Sequence, residues 1–203
     1  MGPTDPTTTD PITADPVTAD PVTTGPLVVL VGPPGSGKSS VGAALARLTG
    51  TPLRDTDTDI ETRAGTTIAE IFTGRGEPAF RELEEQAVAD ALAEHPGVLA
   101  LGGGAVLSAR TRARLAGHPV AYLSVSATTG VQRVGLASHR PLMVGVNPRA
   151  TYRALLADRV PLYREVARWE FATDTESVAD LARAVADAVA LPATPTPAEG
   201  QHR

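Results

Sequence analysis

The chain contains no cysteine, a single lysine, few aromatic residues and no long hydrophobic run. Because none of its 203 residues is cysteine, a disulfide framework, a thiolate metal site and a cysteine nucleophile are excluded. The longest wholly apolar run covers residues 27–31 and is far shorter than a membrane span. The sequence does not open with a basic segment followed by an apolar one, as a secretory signal peptide would. We therefore expect a cytoplasmic protein that does not enter a membrane.

Acidic residues outnumber basic ones, and the excess lies near the N-terminus. The formal net charge is −5, and residues 1–24 hold four aspartates without any lysine or arginine. The remainder has 18 basic against 19 acidic residues and shows no basic patch, so we expect no nucleic-acid partner. The only lysine is Lys38, against 17 arginines.

Both ends of the chain have the composition of disordered tails. Residues 1–24 repeat an Asp-Pro step every five residues, which forbids a helix, and their scattered Ile and Val bury too little apolar surface to fold. We expect a dispensable extension here, with binding to a partner as the open alternative. Residues 191–203 are rich in Pro, Thr and Ala and are also expected to be disordered.

Between the tails, residues 25–190 alternate short β-branched runs with longer stretches of helical periodicity. The run 27–31 is apolar throughout, as in a parallel strand covered on both faces. This alternation predicts one α/β domain with three layers, in which helices cover both faces of a central five-stranded parallel sheet. Strands are predicted at 27–31, 53–55, 98–101, 120–125 and 169–173, and helices at 38–48, 77–94, 109–115, 150–168 and 178–189.

A glycine-rich motif follows the first predicted strand and opens the first predicted helix. Residues 32–39, Gly-Pro-Pro-Gly-Ser-Gly-Lys-Ser, match the phosphate-loop pattern G-x-x-x-x-G-K-[ST] in full. Backbone N–H groups of such a loop surround phosphate oxygens, and the helix N-terminus adds partial positive charge. Lys38 is therefore predicted to reach the β- and γ-phosphates of a nucleoside triphosphate, and the Ser39 hydroxyl to bind Mg²⁺. The predicted nucleotide-binding residues of this loop are Gly35, Ser36, Gly37, Lys38, Ser39 and Ser40.

Three aspartates alternate from the end of the second predicted strand onward, at Asp55, Asp57 and Asp59. These aspartates could simply be the solvent-exposed end of a strand, without a role in binding. In an open parallel sheet, however, ligands bind at the carboxyl ends of the strands. On that interpretation Asp55 and Asp57 share a face beside the phosphate loop, one of them near Mg²⁺ and the other accepting hydrogen bonds from the hydroxyls of a phosphate acceptor.

Six motifs follow one another at fixed spacing along the chain: the phosphate loop, Asp-Thr-Asp at 55–57, GEPAFRELEE at 76–85, LGGGA at 101–105, HRPL at 139–142 and RVPLY at 159–163. In this order and spacing they make the chain resemble the shikimate kinases. The resemblance covers about residues 27–189 and leaves out both tails. It implies a P-loop kinase fold with a mobile lid, and transfer of the ATP γ-phosphate to the 3-hydroxyl of shikimate on the pathway to chorismate and the aromatic amino acids.

The resemblance also implies roles on the acceptor side. Asp57 is expected to bind the shikimate hydroxyls as the candidate base, although it could orient the hydroxyl without removing its proton. Arg81 and Arg159 are expected to bind the shikimate carboxylate, since paired guanidinium groups suit that ligand. Taken singly, Arg81 on an acidic helix and Arg159 after an aspartate could each form a surface ion pair instead. A glycine turn completes the expected substrate contacts: Gly102, Gly103 and Gly104.

On the nucleotide side, the resemblance makes Arg140 a lid arginine that closes on the phosphates and places Arg133 against the adenine. Arg140 joins Lys38 and Asp57 in the predicted catalytic set. Turn-forming residues on both sides of Arg140 suit a mobile lid. The segment 173–177 should border the adenine but contains no arginine, so the contact to the base stays open.

The expected ligands are ATP, shikimate and one Mg²⁺ per subunit, and we expect a monomer. The resemblance implies that Asp55 joins Ser39 at the magnesium ion, largely through water. Another small-molecule kinase, acting on gluconate or on a nucleoside monophosphate, is the nearest alternative. A non-catalytic ATP-binding regulator is a second alternative, which the intact set of Lys38, Ser39, Asp57 and Arg140 disfavours.

Overall fold

Five parallel strands form a single sheet in the computed structural model, which describes residues 25–136 and 147–190. The strand order is β2-β3-β1-β4-β5, with β1 paired to β3 on one side and to β4 on the other. All five predicted strands and the parallel sheet are confirmed. The strands are β1 Val28–Val31, β2 Leu53–Asp55, β3 Val98–Ala100, β4 Val120–Ser124 and β5 Trp169–Ala172.

Helices cover both faces of this sheet, so the predicted three-layer architecture is also confirmed. Side chains alternate across a strand, and successive residues of β1 therefore enter different layers. Val29 and Val31 pack with α3, α4 and α6, whereas Val28 and Leu30 pack with α1 and α7. The helices are α1 Lys38–Thr49, α2 Thr56–Ala64, α3 Ile68–Glu94, α4 Ala109–Leu115, α5 Ala127–Leu136, α6 Pro148–Val166 and α7 Val178–Ala190, with a short 3₁₀ turn at Ala105–Leu107.

Helix α2 replaces the extended strand end that the alternating aspartates suggested. Strand β2 stops at Asp55, whose side chain accepts a hydrogen bond from the Asp57 N–H at 3.0 Å and so caps α2. Aspartate is a strong helix N-cap because its carboxylate satisfies an N–H group that lacks a partner within the helix. The prediction that Asp55 and Asp57 share a strand face is therefore wrong, since Asp57 lies in the first helical turn.

Helix α3 begins earlier than predicted and bends at Gly76. Thr67 and Glu70 form a reciprocal capping box at its start, and Gly76 interrupts it with φ 78° and ψ 169°. Pro78 follows this interruption, where it occupies the opening of the second helical part. The predicted helix from residue 77 corresponds to that second part, whereas the helical segment 68–75 before it was not predicted, and neither was α5.

The helices that lie within residues 25–136 and 147–190 include none that is both long and apolar enough to cross a membrane. Both predicted tails, 1–24 and 191–203, lie outside the described residues. So does the predicted lid around Arg140, because the description stops at residue 136 and resumes at Asn147.

Candidate active site

The phosphate loop connects the carboxyl end of β1 to the first turn of α1. Gly35 and Gly37 have φ values of 80° and 90°, which L-residues rarely adopt, and Gly37 serves as the α1 N-cap. The Lys38 ammonium group donates hydrogen bonds to the carbonyls of Gly32, at 2.8 Å, and Pro33, at 3.1 Å. Its positive charge therefore lies across the loop, at the α1 N-terminus where the helix dipole also favours an anion. Ser36 is fully buried, and Ser40 is exposed in the first turn of α1.

Ser39 and Asp55, the pair that the resemblance assigned to a magnesium ion, lie next to each other beside the loop. The Ser39 hydroxyl donates to a carboxylate oxygen of Asp55 at 3.1 Å. Hydroxyl and carboxylate oxygens are hard ligands that suit Mg²⁺, which usually takes few protein ligands and keeps waters and substrate phosphates in its shell. In the part of the chain that the structure describes, no group of three or more acidic or histidine side chains could hold a metal ion. A site of two oxygen ligands next to a phosphate loop fits a magnesium ion that arrives with a nucleotide.

Arg133 approaches the opposite end of the phosphate loop from α5. Its guanidinium group donates to the Thr173 carbonyl at 2.7 Å, to the Thr173 hydroxyl at 3.1 Å and to the Gly35 carbonyl at 3.4 Å. Segment 173–177 contains no arginine, but Arg133 of α5 reaches its first residue. Thr173 follows β5 directly, so Arg133 connects the phosphate loop to the loop after β5.

The glycine turn after β3 lies where other parts of the site converge. A Cβ on Gly102 would lie 2.5 Å from Asp57 Oδ1 and 2.8 Å from Glu84 Oε1, and one on Gly104 would overlap the Arg81 guanidinium group. The Gly102 N–H donates to the Thr56 hydroxyl at 3.0 Å, which fixes the turn to the start of α2. Glycine is required here because carboxylates and a guanidinium group occupy the space that side chains would take.

Arg81 is held by two glutamates of its own helix. Its Nη1 contacts Glu84 Oε2 at 2.6 Å, and its Nη2 contacts Glu77 Oε1 at 2.8 Å. Glu84 is only 3% exposed, and burial raises the pKa of its carboxyl group, with the nearby Asp57 charge adding to that effect and Arg81 opposing it. Burial tends to lower the pKa of Arg81, but Glu84 and Glu77 outweigh burial and raise it.

Glu84 is a site residue that the sequence analysis missed, because it was counted among the acidic residues of a surface helix. The helical spacing of the buried residues in α3 could have identified Glu84. Glu84 lies four residues after Phe80 and four before Val88, both of which are buried, so it belongs to the apolar stripe of α3. A glutamate on such a stripe needs a partner, and Arg81 provides it.

Arg159 and Tyr163 reach the same glycine turn from α6. The Arg159 Nη1 donates to the Gly103 carbonyl at 3.0 Å, and the hydroxyl of the buried Tyr163 donates to it at 2.5 Å. Arg81 and Arg159 therefore end at adjacent glycines, and Arg159 is close enough to Glu84 to influence its pKa. Tyr163 was also missed, since a tyrosine of the RVPLY motif reads as an ordinary core residue.

The phosphate loop touches the glycine turn directly. A Cβ on Gly103 would lie 3.1 Å from Pro34 Cδ, so the two loops are in van der Waals contact at the carboxyl ends of β1 and β3. Parallel α/β sheets bind their ligands at this edge. A triphosphate cradle thus adjoins a pocket with two arginines for an anionic group and an aspartate, Asp57, for a hydroxyl group. This fold and this site define the chain as a P-loop phosphotransferase.

Known proteins identify the family within that class. The family model for shikimate kinase matches residues 34–190. The chain is 64% identical to a shikimate kinase of Saccharopolyspora erythraea over 146 residues, which cover 72% of this chain and 83% of the relative. It is 56% identical to one of Streptomyces avermitilis over 164 residues, which cover 81% and 95%. The chain belongs to the shikimate kinase family, as the motifs indicated.

A solved structure supports the same assignment. Shikimate kinase from Acinetobacter baumannii in complex with shikimate matches with a TM-score of 0.78 and 38% sequence identity, covering 82% of this chain and 93% of that protein. A second match is a shikimate kinase from Bacteroides thetaiotaomicron, with a TM-score of 0.74, 28% identity and coverage of 81% and 98%. The chain is accordingly an ATP-using kinase of this family.

Proposed function

We propose that the chain transfers the γ-phosphate of ATP to the 3-hydroxyl of shikimate, giving shikimate 3-phosphate and ADP, on the pathway to chorismate and aromatic amino acids. One observation carries this proposal beyond membership of the family. Arg81 and Arg159 converge on Gly103 and Gly104, beside Asp57 and against the phosphate loop. An acceptor that carries both a carboxylate and hydroxyl groups matches that pairing of charges.

On the acceptor side, Arg81 and Arg159 bind the carboxylate of shikimate and hold the ring in one orientation. Asp57 accepts a hydrogen bond from the reacting hydroxyl and directs its oxygen toward the phosphate loop, and as candidate base it takes the proton. The glycine turn leaves room for the ring, with Gly103 as the backbone contact. Such positioning is the main contribution that a protein makes to phosphoryl transfer.

On the nucleotide side, the N–H groups of Gly35, Ser36, Gly37, Lys38, Ser39 and Ser40 surround the phosphates. The Lys38 ammonium group moves from loop carbonyls to the β- and γ-phosphate oxygens. Ser39 and Asp55 would hold Mg²⁺, with Asp55 contributing largely through water. When bound, Mg²⁺ offsets negative charge on the phosphate oxygens. Arg133 packs against the adenine, while Arg140 is assigned to the phosphates through the resemblance alone.

The proposal extends to the organisation of the chain. Residues 25–190 form the kinase domain, with residues 1–24 and 191–203 as tails that catalysis does not need. Support comes from the family match over 34–190 and from the elements between Val28 and Ala190. Ser39 and Asp55 form one pair of oxygen ligands in the chain, which supports one Mg²⁺ per subunit, and the proposal includes a monomer. A biosynthetic reaction that consumes ATP is consistent with the proposed cytoplasmic location.

The proposed reaction is tested by measuring ADP release with shikimate, gluconate, AMP and CMP as acceptors. Turnover with shikimate is expected, and turnover with a nucleotide alone would overturn the assignment. Arg159→Ala should then raise the KM for shikimate strongly and leave the KM for ATP nearly unchanged. Arg110→Ala is the matched control, because Arg110 is largely exposed and pairs with Glu85 away from the glycine turn. Equal effects on both substrates would contradict the role given to Arg159.

A further inference from the structure

A buried tyrosine of α6 forms a hydrogen bond with the phosphate loop itself. The Tyr152 hydroxyl donates to the Pro34 carbonyl at 2.6 Å, and Tyr152 has no exposed surface. This tyrosine lies 118 residues along the chain from Pro34, so the bond is a tertiary contact that fixes α6 to the loop. None of the roles proposed above uses Tyr152.

The bond controls a peptide group that the nucleotide needs. A trans peptide unit is planar, and its C=O and N–H groups point in opposite directions. The Pro34 carbonyl and the Gly35 N–H belong to one such unit, and the described residues contain no cis peptide bond. By holding the carbonyl toward α6, Tyr152 therefore turns the Gly35 N–H to the other side of the loop.

The composition of this loop makes the Gly35 N–H especially important for binding phosphate. Pro33 and Pro34 lack an amide hydrogen, so the first N–H that the loop can offer after Gly32 is that of Gly35. Gly35 also has φ 80°, a conformation that glycine adopts readily and other L-residues rarely. The Arg133 contact to the Gly35 carbonyl, at 3.4 Å, is longer than the Tyr152 bond at 2.6 Å.

Packing keeps the Tyr152 ring in place. A Cβ on Gly130 of α5 would overlap the phenol ring, so the ring lies directly against the α5 backbone. The Gly130 carbonyl in turn lies 3.0 Å from the position that a Cβ on Gly35 would take. Helices α5 and α6 and the phosphate loop thus form one contact around the phenol group, and its hydroxyl has little freedom to leave the Pro34 carbonyl.

We propose that Tyr152 is a positioning residue for the nucleotide phosphates: it orients the Gly35 N–H through its hydrogen bond to the Pro34 carbonyl. The inference rests on the proposed use of this loop for ATP and adds a residue to it. Removing the hydroxyl leaves the carbonyl without this donor in a buried place and loosens the peptide plane. Nucleotide affinity should therefore fall, whereas the shikimate pocket on the other side of Pro34 should be affected little.

The test is calorimetric binding of ADP to Tyr152→Phe, together with the KM values for ATP and shikimate. Loss of a buried hydrogen bond predicts an increase of about five- to tenfold in the Kd for ADP and in the KM for ATP. Tyr163→Phe is the matched control, because Tyr163 also lies on α6 and donates to a backbone carbonyl, that of Gly103. It should raise the KM for shikimate and leave ADP binding unchanged.

A second variant keeps the proposal testable if Tyr152→Phe melts below the assay temperature. Gly130→Ala improves helix propensity but pushes against the phenol ring, and it should weaken ADP binding in the same way. Unchanged ADP binding in the folded variants, or equal loss of ADP and shikimate affinity, overturns the role of Tyr152. ADP binding requires no acceptor, so this experiment tests the role of Tyr152 whatever the acceptor is. If the wild-type protein does not phosphorylate shikimate, the proposed function is contradicted instead.

Discussion

The contact between Glu84 and Arg81 offers the sharpest test of the acceptor pocket, through the variant Glu84→Gln. This change removes one negative charge from a side chain that contacts Arg81 at 2.6 Å, while volume and shape are nearly conserved. The Arg81 side chain is 20% exposed, and among the described residues its one remaining ion pair would be with Glu77, whose side chain is 58% exposed. Arg81 would then be held less firmly at the glycine turn, and the carboxylate of shikimate would lose a fixed partner.

The size of the effect depends on the kind of bond that is lost. A buried hydrogen bond between charged groups contributes about 1.5–3 kcal/mol, against about 0.5–1.5 kcal/mol for a neutral one. Glu84→Gln keeps the charged donor and removes the charge of the acceptor, so the cost is of the order of the difference, about 1–2 kcal/mol, which corresponds to about a 5- to 30-fold higher KM for shikimate. The KM for ATP should not change, because Arg81 lies on the acceptor side of the site.

Glu77→Gln is the matched control. It removes a charge from the same arginine, but at an exposed i,i+4 pair that contributes less than about 0.5 kcal/mol. Its KM for shikimate should therefore stay within about twofold of the wild-type value. Steady-state kinetics for both substrates and thermal melting of the three proteins complete the comparison.

The pH dependence gives an independent measurement on the same residue. Burial raises the pKa of Glu84, so its charge is lost at a higher pH than that of an ordinary glutamate. As the pH falls through this raised pKa, the KM for shikimate should rise in the wild type. In Glu84→Gln, which has no charge to lose at this position, the KM should not show this rise. A raised pKa also means that the stability this group contributes is present below its unfolded pKa and lost as the pH rises through the folded one.

The reasoning on Glu84 is refuted if Glu84→Gln and Glu77→Gln have the same KM for shikimate. A folded Glu84→Gln protein with wild-type kinetics would also refute it, since Arg81 would then need no buried partner. An equal rise in the KM for ATP would place the defect elsewhere in the site.

Three further outcomes are expected. Gly102→Ala should lower kcat/KM for shikimate by about 10-fold or more, because its Cβ would collide with Asp57 and Glu84; wild-type activity would show that the carboxylates can move apart. Asp55→Asn should raise the Mg²⁺ concentration required for half-maximal activity by several-fold at unchanged KM for shikimate, and an unaltered Mg²⁺ titration would exclude Asp55 from the metal site. Deleting residues 1–24 should leave kcat and Tm unchanged, and a loss of activity would show that the tail takes part in catalysis.

Helix α2 shows why a local pattern can mislead. Asp55, Asp57 and Asp59 alternate as in a strand, yet Asp55 ends β2 and caps a helix that begins at once. Alternation of polar residues is weak evidence for a strand, because an exposed helix accepts polar residues in any order. The resemblance implied that Ser39 and Asp55 act together at a metal ion, and their side chains do lie within hydrogen-bond distance, whatever the conformation of the residues after β2.

The sequence by itself determined the five strands, their parallel arrangement and the phosphate loop. Each of these depends on residues that are neighbours along the chain: an apolar run such as Val28–Val31, or glycines and Lys38 at fixed spacing. Periodicity and glycine conformation act over a few residues, so they can be read without the fold. The motif resemblance added Asp57, Arg81, Arg133 and Arg159.

Only the tertiary structure decided which contacts the predicted site residues make and which further residues belong to the site. Glu84, Tyr152 and Tyr163 are ordinary residues in the sequence, and their roles arise from contacts with groups on other elements or in a buried turn. Arg133 likewise meets Thr173 across 40 residues of chain. Burial and the direction of a side chain depend on which helix face meets the sheet, and packing of the whole domain sets that face.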